Sequence, residues 1–366
     1  MTTREKQLWI VNHHALVPSR DGGSGRHLHL GIHLRDRDWR TTLIVAGTDH
    51  PAGSQHMPGP RLTRRTEELG IETLWIKTNS YGRSLLLRLL AMVLFALNLL
   101  RPGATKGLPR PNVVIGSTVH PLAAWAGWRL SRRHKVPFVY EIRDVWPETL
   151  QDVSGLHPKH PVFVFFRFVD SILIKHADLI VSPLPMADLH LAEMGFKDRK
   201  FLWISNGEQL PESWEEPVDR DGEPFCFMYL GSHGRANALD FVILAFDKAV
   251  TAAPHLDLKL RLIGSGQEKQ ALRAMAADLA SANRISFEGP VPKSMVIELA
   301  RESDCLVVHV ANRPVYRFGI SPNKFFTYLG SGRPIIAASS APADPVKDSK
   351  AGISVPGEDV DELAAA

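Results

Sequence analysis

The sequence predicts an α/β protein made of two doubly wound parallel-sheet domains, and three observations carry that reading. Short apolar β-type runs alternate with helix-length segments along the chain, the pattern of a parallel sheet covered by helices on both faces. The alternation falls into two series separated by residues 208–223, a segment rich in Pro, Glu and Asp that reads as a linker. The length, 366 residues, exceeds one ordinary domain, which holds roughly 100–200 residues. The expected domains are therefore 1–207 and 224–366.

In the first series the strands are expected at Leu8–Val11, Leu43–Ala46, Thr73–Ile76, Val113–Ile115, Phe138–Ile142 and Leu179–Val181. Helices are expected at His27–Asp36, Leu85–Leu100 and Leu122–His134, each long enough for several turns. Phe201–Ile204 is a last short apolar run, and Asn206-Gly207 after it is a turn signal. The second series places strands at Phe225–Leu230, Leu258–Ile263, Ile285–Glu288, Cys305–Val310 and Pro334–Ala337. Its helices are expected at Leu239–Thr251, Glu268–Ser281, Lys293–Arg301 and Lys324–Gly330. Asp359 reads as the N-cap of a final helix of about two turns. So short a last helix gives the expectation that the domain continues beyond residue 366.

Composition bounds the function. With 44% hydrophobic and 22% charged residues the chain is no disordered segment. Its two cysteines, Cys226 and Cys305, cannot build a disulfide framework or a cysteine zinc site. Both sit in apolar runs and read as buried strand residues in a protein of the reducing cytoplasm. The net charge of +4 conceals an asymmetry. Residues 1–183 hold 24 Lys+Arg against 14 Asp+Glu, whereas residues 184–366 hold 19 against 25. The basic half suits an anionic partner such as a membrane surface or a phosphate. No aromatic residues are interleaved with the basic ones in the manner of a base-stacking surface, so no nucleic-acid partner is expected.

No signal peptide is expected, because the apolar run Leu8–Val11 is too short and runs straight into polar residues. Leu85–Leu100 is apolar apart from Arg88 and Asn98, and its 16 residues fall short of a span, which takes about 20. It reads either as a helix on a cytoplasmic leaflet, flanked by Arg83 and Arg101, or as a buried crossover helix.

Four glycine-bearing loops stand between strands and helices. They are Gly22-Gly23-Ser24-Gly25-Arg26, Gly231-Ser232-His233-Gly234-Arg235, Gly264-Ser265-Gly266, and Phe318-Gly319-Ile320-Ser321-Pro322-Asn323-Lys324. Glycine permits close backbone approach, and a helix N-terminus favours an anion. Lys269 stands where a dinucleotide fingerprint needs its third glycine. Phosphate-suited loops in both sheets point to a nucleotide-linked ligand beyond the carboxyl ends of the strands. Asp36-Arg37-Asp38 lies at a helix end and Asp359-Val360-Asp361 at a helix start. Neither follows a strand, so no metal site is expected.

In order and spacing these residues resemble glycosyltransferase family 4, retaining enzymes of the GT-B fold with two Rossmann-like domains facing a cleft. The matching segments are Leu8–Val11 with Asn12-His13 and Gly22-Gly23, then Asn206-Gly207, then Tyr229-Leu230-Gly231. They continue with Leu262-Ile263-Gly264-Ser265-Gly266-Gln267-Glu268, then Phe287-Glu288-Gly289-Pro290-Val291-Pro292, and with Ser321-Pro322-Asn323-Lys324 running to Tyr328-Leu329-Gly330-Ser331-Gly332-Arg333-Pro334. Glu141-Ile142-Arg143-Asp144-Val145-Trp146-Pro147-Glu148 resembles bacterial transferases of O-antigen and capsule assembly, including the fucosamine (WbuB-like) type. The resemblance implies a nucleotide-sugar donor, often UDP-linked, and a sugar acceptor, commonly on a polyprenyl diphosphate at the cytoplasmic membrane. It implies metal-independent front-face transfer with no enzymic base, so no cofactor is expected. In that family the last helices cross back onto the first domain.

On the resemblance, the leaving diphosphate would be stabilised by Arg235, Lys324 and the amides of Gly319, Ile320 and Ser321. Gly22, Gly23, Gly231, Gly264, Gly266, Val291 and Asn323 would line the donor. The family's Arg and Lys after the first strand of the second domain are not both kept, since Ser232 and Ala238 leave Arg235 as the basic residue there. Of the family's two glutamates, the first falls on Gly319 and the second, the ribose contact, on Thr327, whose hydroxyl binds less strongly than a carboxylate. His120 matches a loop near the sugar and is a catalytic candidate, the alternative being a capping histidine. His13, Glu141, Arg143, Asp144 and Trp146 are acceptor-binding candidates. For the three charged residues the alternative is a local ion-pair network, and for Trp146 core packing. A UDP-sugar 2-epimerase on the same fold and a non-catalytic nucleotide-sugar-binding scaffold are the competing functions.

Overall fold

The computed structural model describes residues 5–23, 25–50, 52–57, 59–82, 84–210 and 222–366. Ser24, Arg83 and most of the expected linker, residues 211–221, lie outside them. The chain divides into two compact units, Met1–Ser205 and Asn206–Ala366. Asn206-Gly207 thus opens the second unit.

The first unit holds strands β1 (Lys6–Val11), β2 (Trp39–Ala46), β3 (Thr63–Glu68), β4 (Ile71–Ile76), β5 (Val113–Ser117), β6 (Phe138–Glu141), β7 (Leu179–Ser182) and β8 (Phe201–Trp203). They form one sheet in the order β3-β4-β2-β1-β5-β6-β7-β8, parallel except for β3 against β4. Alternate residues of β1 show both faces to be buried. Trp9 and Val11 pack with Phe95, Leu99 and Ala126 of the helices Leu85–Leu100 and Pro121–His134. Leu8 and Ile10 pack on the other face with Val17 and with Leu28 of the helix Arg26–Arg35. Burial on both faces is why these strands read as unbroken apolar runs.

The second unit contributes β9 (Phe225–Leu230), β10 (Leu258–Ile263), β11 (Ile285–Glu288), β12 (Cys305–His309), β13 (Ile335–Ala338) and β14 (Gly352–Val355). Its sheet is wholly parallel, in the order β11-β10-β9-β12-β13-β14. Leu260, Leu262 and Val307 face the helices Leu239–Ala252 and Lys269–Ala277, while Met228, Leu306 and Val308 face the helix Asn323–Ser331. Cys226 and Cys305 are buried free thiols, and burial raises Cys305 to about 12.

Sequence reasoning missed β3, β14 and five helices: Pro18–Asp21, Glu148–Ser154, Pro161–His176, Ala187–Glu193 and Pro345–Ser349. β3 reads Thr-Arg-Arg-Thr-Glu-Glu because it is an antiparallel edge strand with one side open to water. The expected helix Glu268–Ser281 closes at Ala277, and Lys293–Arg301 begins as a 3-10 turn over Lys293–Met295. Asp359 caps its short helix, accepting from the amides of Asp361 and Glu362.

Leu85–Leu100 is a crossover helix with two unlike faces. Ser84 caps it, accepting from Leu87 N, and Met92, Phe95 and Leu99 bury one side in the core. The other side carries Leu86, Leu90, Val93 and Leu97 at helical spacing, all exposed, Leu86 by 78%. Among the described residues no helix is long and apolar enough to cross a membrane.

Candidate active site

In both sheets the chain turns to opposite sides of a central strand pair, between β1 and β5 in the first unit and between β9 and β12 in the second. The carboxyl ends of those pairs are where ligands of open α/β sheets bind.

In the second unit, Tyr229 of β9 carries Lys324 above it. The ammonium donates to the Tyr229 hydroxyl at 2.8 Å and to Asn237 Oδ1 at 2.5 Å, and stands 4.5 Å from the Tyr229 ring centroid. Lys324 keeps some solvent contact, yet desolvation of its ammonium lowers its pKa to about 7. It has no carboxylate partner among the described residues. A cation without a counter-charge, held by neutral oxygens at a sheet's carboxyl edge, can neutralise a phosphate.

The loops around Lys324 are packed backbone to backbone. A Cβ on Gly264 would stand 1.8 Å from Gly231 O, and one on Gly266 would stand 2.3 Å from His233 O. Gly264 and Gly266 thus let the loop after β10 lie against the loop after β9, and Gly231 brings its backbone beside Lys324 Nζ. His233, which sequence reasoning passed over, is fully buried in this loop. Both its ring nitrogens lack a hydrogen-bond partner among the described residues, and burial, then Lys269 and Lys324, hold it near 4. A histidine carries no local signal of that kind, because its isolation comes from the meeting of two loops. Arg235 points outward, largely exposed, with Nε 3.2 Å from Glu268 Oε1.

Gly319, Ile320 and Ser321 precede the helix Asn323–Ser331, whose N-cap is Pro322 with no side-chain cap. Asn206 holds this loop, its Nδ2 donating to Ser321 O at 2.6 Å. Thr327, almost buried, donates through Oγ1 to Glu208 Oε2 at 2.5 Å. A carboxylate therefore stands at Thr327 although the helix supplies none. Sequence reasoning missed Glu208 because it lies 119 residues away in the chain. Val291 is half-buried and packs against the core beneath the same helix.

In the first unit, Glu141 at the end of β6 is buried and fully engaged. It accepts from His27 Nε2 at 2.6 Å, from Arg26 Nε at 2.8 Å and from Ser117 Oγ at 2.5 Å. These partners hold its carboxyl well below the usual range against the cost of burial. At His27 burial outweighs the carboxylate and lowers the pKa, so the ring is neutral and donates through Nε2. This network ties the helix after Gly22 and Gly23 to β5 and β6. Trp146 packs on Phe166, ring centroids 5.0 Å apart, and is too buried to offer a face to a sugar. Arg143 is half-buried, and Asp144 keeps solvent contact, yet desolvation of its carboxyl raises it against the pull of Arg143 and Arg88.

His120 is the N-cap of the helix Pro121–His134, its Nδ1 accepting from Ala123 N at 3.3 Å. Its Nε2 lies 2.8 Å from His13 Nδ1 across the β1–β5 crevice. Burial, then Arg88, lowers it to about 3, so at neutral pH it is an uncharged cap.

Comparison with known proteins agrees with this architecture. Residues 22–207 match the glycosyl transferase 4-like domain, and residues 224–366 match glycosyl transferases group 1. The chain belongs to the glycosyl transferase 4-like family. No curated protein matches it in sequence. Among solved structures it is similar to a sucrose-phosphate synthase from Thermosynechococcus elongatus, with a TM-score of 0.68, 16% identity, and coverage of 99% of this chain and 88% of that one. It is similar to a trehalose-6-phosphate protein from E. coli bound with UDP-2-fluoro glucose, with a TM-score of 0.66, 11% identity, and coverage of 98% and 90%. It is also similar to HepE of Anabaena in complex with UDP and glucose, with a TM-score of 0.60, 14% identity, and coverage of 99% and 88%. These likenesses establish the two-domain GT-B fold for this glycosyltransferase.

Proposed function

We propose that this glycosyltransferase moves a hexosyl or N-acetylamino sugar, with retention, from a UDP-sugar to a glycan or polyprenyl-diphosphate-linked acceptor in cell-surface polysaccharide assembly. The observation that carries the donor half is Lys324, poised on Tyr229 and Asn237 with no carboxylate to neutralise it. It would meet the diphosphate as negative charge develops on the leaving group, together with the amides of Gly319–Ser321. That pairing serves the leaving group without a metal. UDP in the HepE structure and UDP-2-fluoro glucose in the E. coli structure support uridine as the nucleoside of the donor. Glu208, through Thr327, would supply the carboxylate for a ribose hydroxyl. A binding screen over UDP-, GDP- and dTDP-sugars, followed by turnover with a lipid-linked saccharide, tests the reading. Tight UDP binding without transfer would mark a scaffold, and epimer formation without acceptor would mark an epimerase.

The reading includes docking at the inner face of the cytoplasmic membrane. The stripe Leu86, Leu90, Val93 and Leu97 has no protein covering it among the described residues, and exposed Arg101, Arg129, Arg132 and Arg133 lie on the same helical layer or at its end. Apolar residues flanked by arginines suit an anionic lipid surface. Leu86→Ser with Leu90→Ser should weaken cosedimentation with anionic phospholipid vesicles by about tenfold and leave UDP affinity intact. Unchanged cosedimentation would remove the membrane from the proposal.

A further inference from the structure

A second group of residues in the first unit has no place in the scheme above. His13 and His14 follow β1 directly, His50 lies in the loop after β2, and Arg88 stands near the start of the helix Leu85–Leu100. The His13 and His14 rings stand 4.3 Å apart, and His14 stacks on His50 at 4.6 Å with the planes 24° apart. His13 is 1% exposed, and its Nε2 is unpartnered among the described residues. So are both ring nitrogens of His14 and Nε of Arg88, all of them buried atoms. Four polar atoms without partners lie at the carboxyl edge of one sheet, and Arg88 Nε–H and the single N–H of the neutral His14 ring are donors among them awaiting acceptors.

The charges nearby decide what kind of acceptor. Asp49 is taken up by His56 Nε2 and the Ser54 amide. Asp21 is taken up by Arg20 and the Val17 amide, and the Arg20 guanidinium is further spent on the carbonyls of Ala15, Ala46 and Thr48. Arg88 forms no ion pair among the described residues. Its charge reaches the rings of His14, His50 and His120 and the exposed Asp144, so it sits amid the ends of β1, β2, β5 and β6. Burial, then the neighbouring His50 and His120 rings and Arg88, keeps His14 well below its usual pKa, and burial, then Arg88, holds His50 near 4. The cluster is one fixed cation beside neutral imidazoles. No group of three or more metal-ligating side chains occurs among the described residues.

We propose that Arg88, His14 and His50 form an anion site that holds the diphosphate of the lipid-linked acceptor. The guanidinium supplies charge and two faces of donors, and the imidazole N–H groups supply further bonds to the phosphate oxygens. The lipid is assigned from the same helix: Leu85, Leu86 and Leu87, in the turn just before Arg88, are all exposed. A diphosphate on Arg88 would therefore leave its isoprenoid chain beside apolar surface. The inference rests on the lipid-diphosphate acceptor proposed above, but its test does not require turnover.

Calorimetry on the full chain, with the donor site saturated by UDP, would compare inorganic pyrophosphate with geranyl diphosphate. Both should bind, geranyl diphosphate at least tenfold tighter. Arg88→Gln should weaken both by about tenfold or more, His14→Asn should weaken them less, and Arg88→Lys should keep most of the pyrophosphate affinity. UDP affinity, measured separately, reports on the donor reading and should not move in any of them. Pyrophosphate binding that survives both Arg88→Gln and His14→Asn in the folded protein would overturn the site. Equal affinity for the two probes would overturn its assignment to a lipid. Loss of UDP binding in the unmodified chain would instead sink the donor reading and leave this site standing.

Discussion

Lys324→Ala is expected to lower kcat/KM for sugar transfer by about a hundredfold or more, the usual cost of removing one preorganised donor to developing charge. Most of the loss should fall on kcat if the ammonium meets charge chiefly as the leaving group departs. The pH profile is the sharper reading. Desolvation lowers the ammonium to about 7, so its charge is present below that pH and lost above it. UDP affinity should therefore decline as pH rises from about 6 to about 8.5, with proton uptake on binding at the upper end. Lys324→Arg, always charged, should give a flat profile over the same range. The folded pKa lies below the unfolded lysine value, so the unfolded chain holds more protons between the two and stability rises with pH there. Lys324→Met should accordingly raise the melting temperature of the unliganded protein at pH 6 while lowering transfer as Lys324→Ala does. A flat profile in the unmodified enzyme would show that Lys324 is not the group that meets the phosphate.

Glu141→Ala should be the most damaging change in the first unit, costing about 3–5 kcal/mol, the range for removing one partner of a buried ion pair. It strips an acceptor from His27, Arg26 and Ser117 at once, and His27 and Ser117 lie where water cannot replace it. Glu141→Gln keeps the shape and some bonds but loses the charge, and should cost about half as much. The check is urea unfolding followed on a probe within the first unit, because two units need not melt together. The folded carboxyl sits well below the unfolded one. Its stabilisation is complete above the ordinary glutamate range and fades as pH falls through the lower folded value. A substitution that left the unfolding midpoint unchanged would return Glu141 to the acceptor-contacting role expected from sequence.

How much of this was legible depended on where each signal lies along the chain. β9, β10 and β11 run over the expected residues, since β9 is one apolar run, β10 and β11 alternate apolar and polar residues, and a glycine follows each. β3 was illegible because its charged sequence lacks the period of a half-buried strand. Lys324 was readable from its loop, but its lowered pKa was not, because Tyr229 and Asn237 come from 95 and 87 residues away. Trp146 stood open between acceptor binding and core packing, and it packs on Phe166 in a helix that sequence reasoning did not predict.

By itself, then, the sequence determined that this protein has two parallel-sheet units with phosphate-suited loops at strand ends, since apolar periodicity and glycine placement act over a few residues. The tertiary structure alone decided that His120 caps a helix and bonds His13, that Glu208 stands against Thr327, and that the Arg88 charge reaches His14 and His50. Neighbouring strands of a parallel sheet are joined by long crossovers, so side chains meeting at its carboxyl edge come from distant points in the chain. His13 and His120 touch across 107 residues, and no local pattern records that distance.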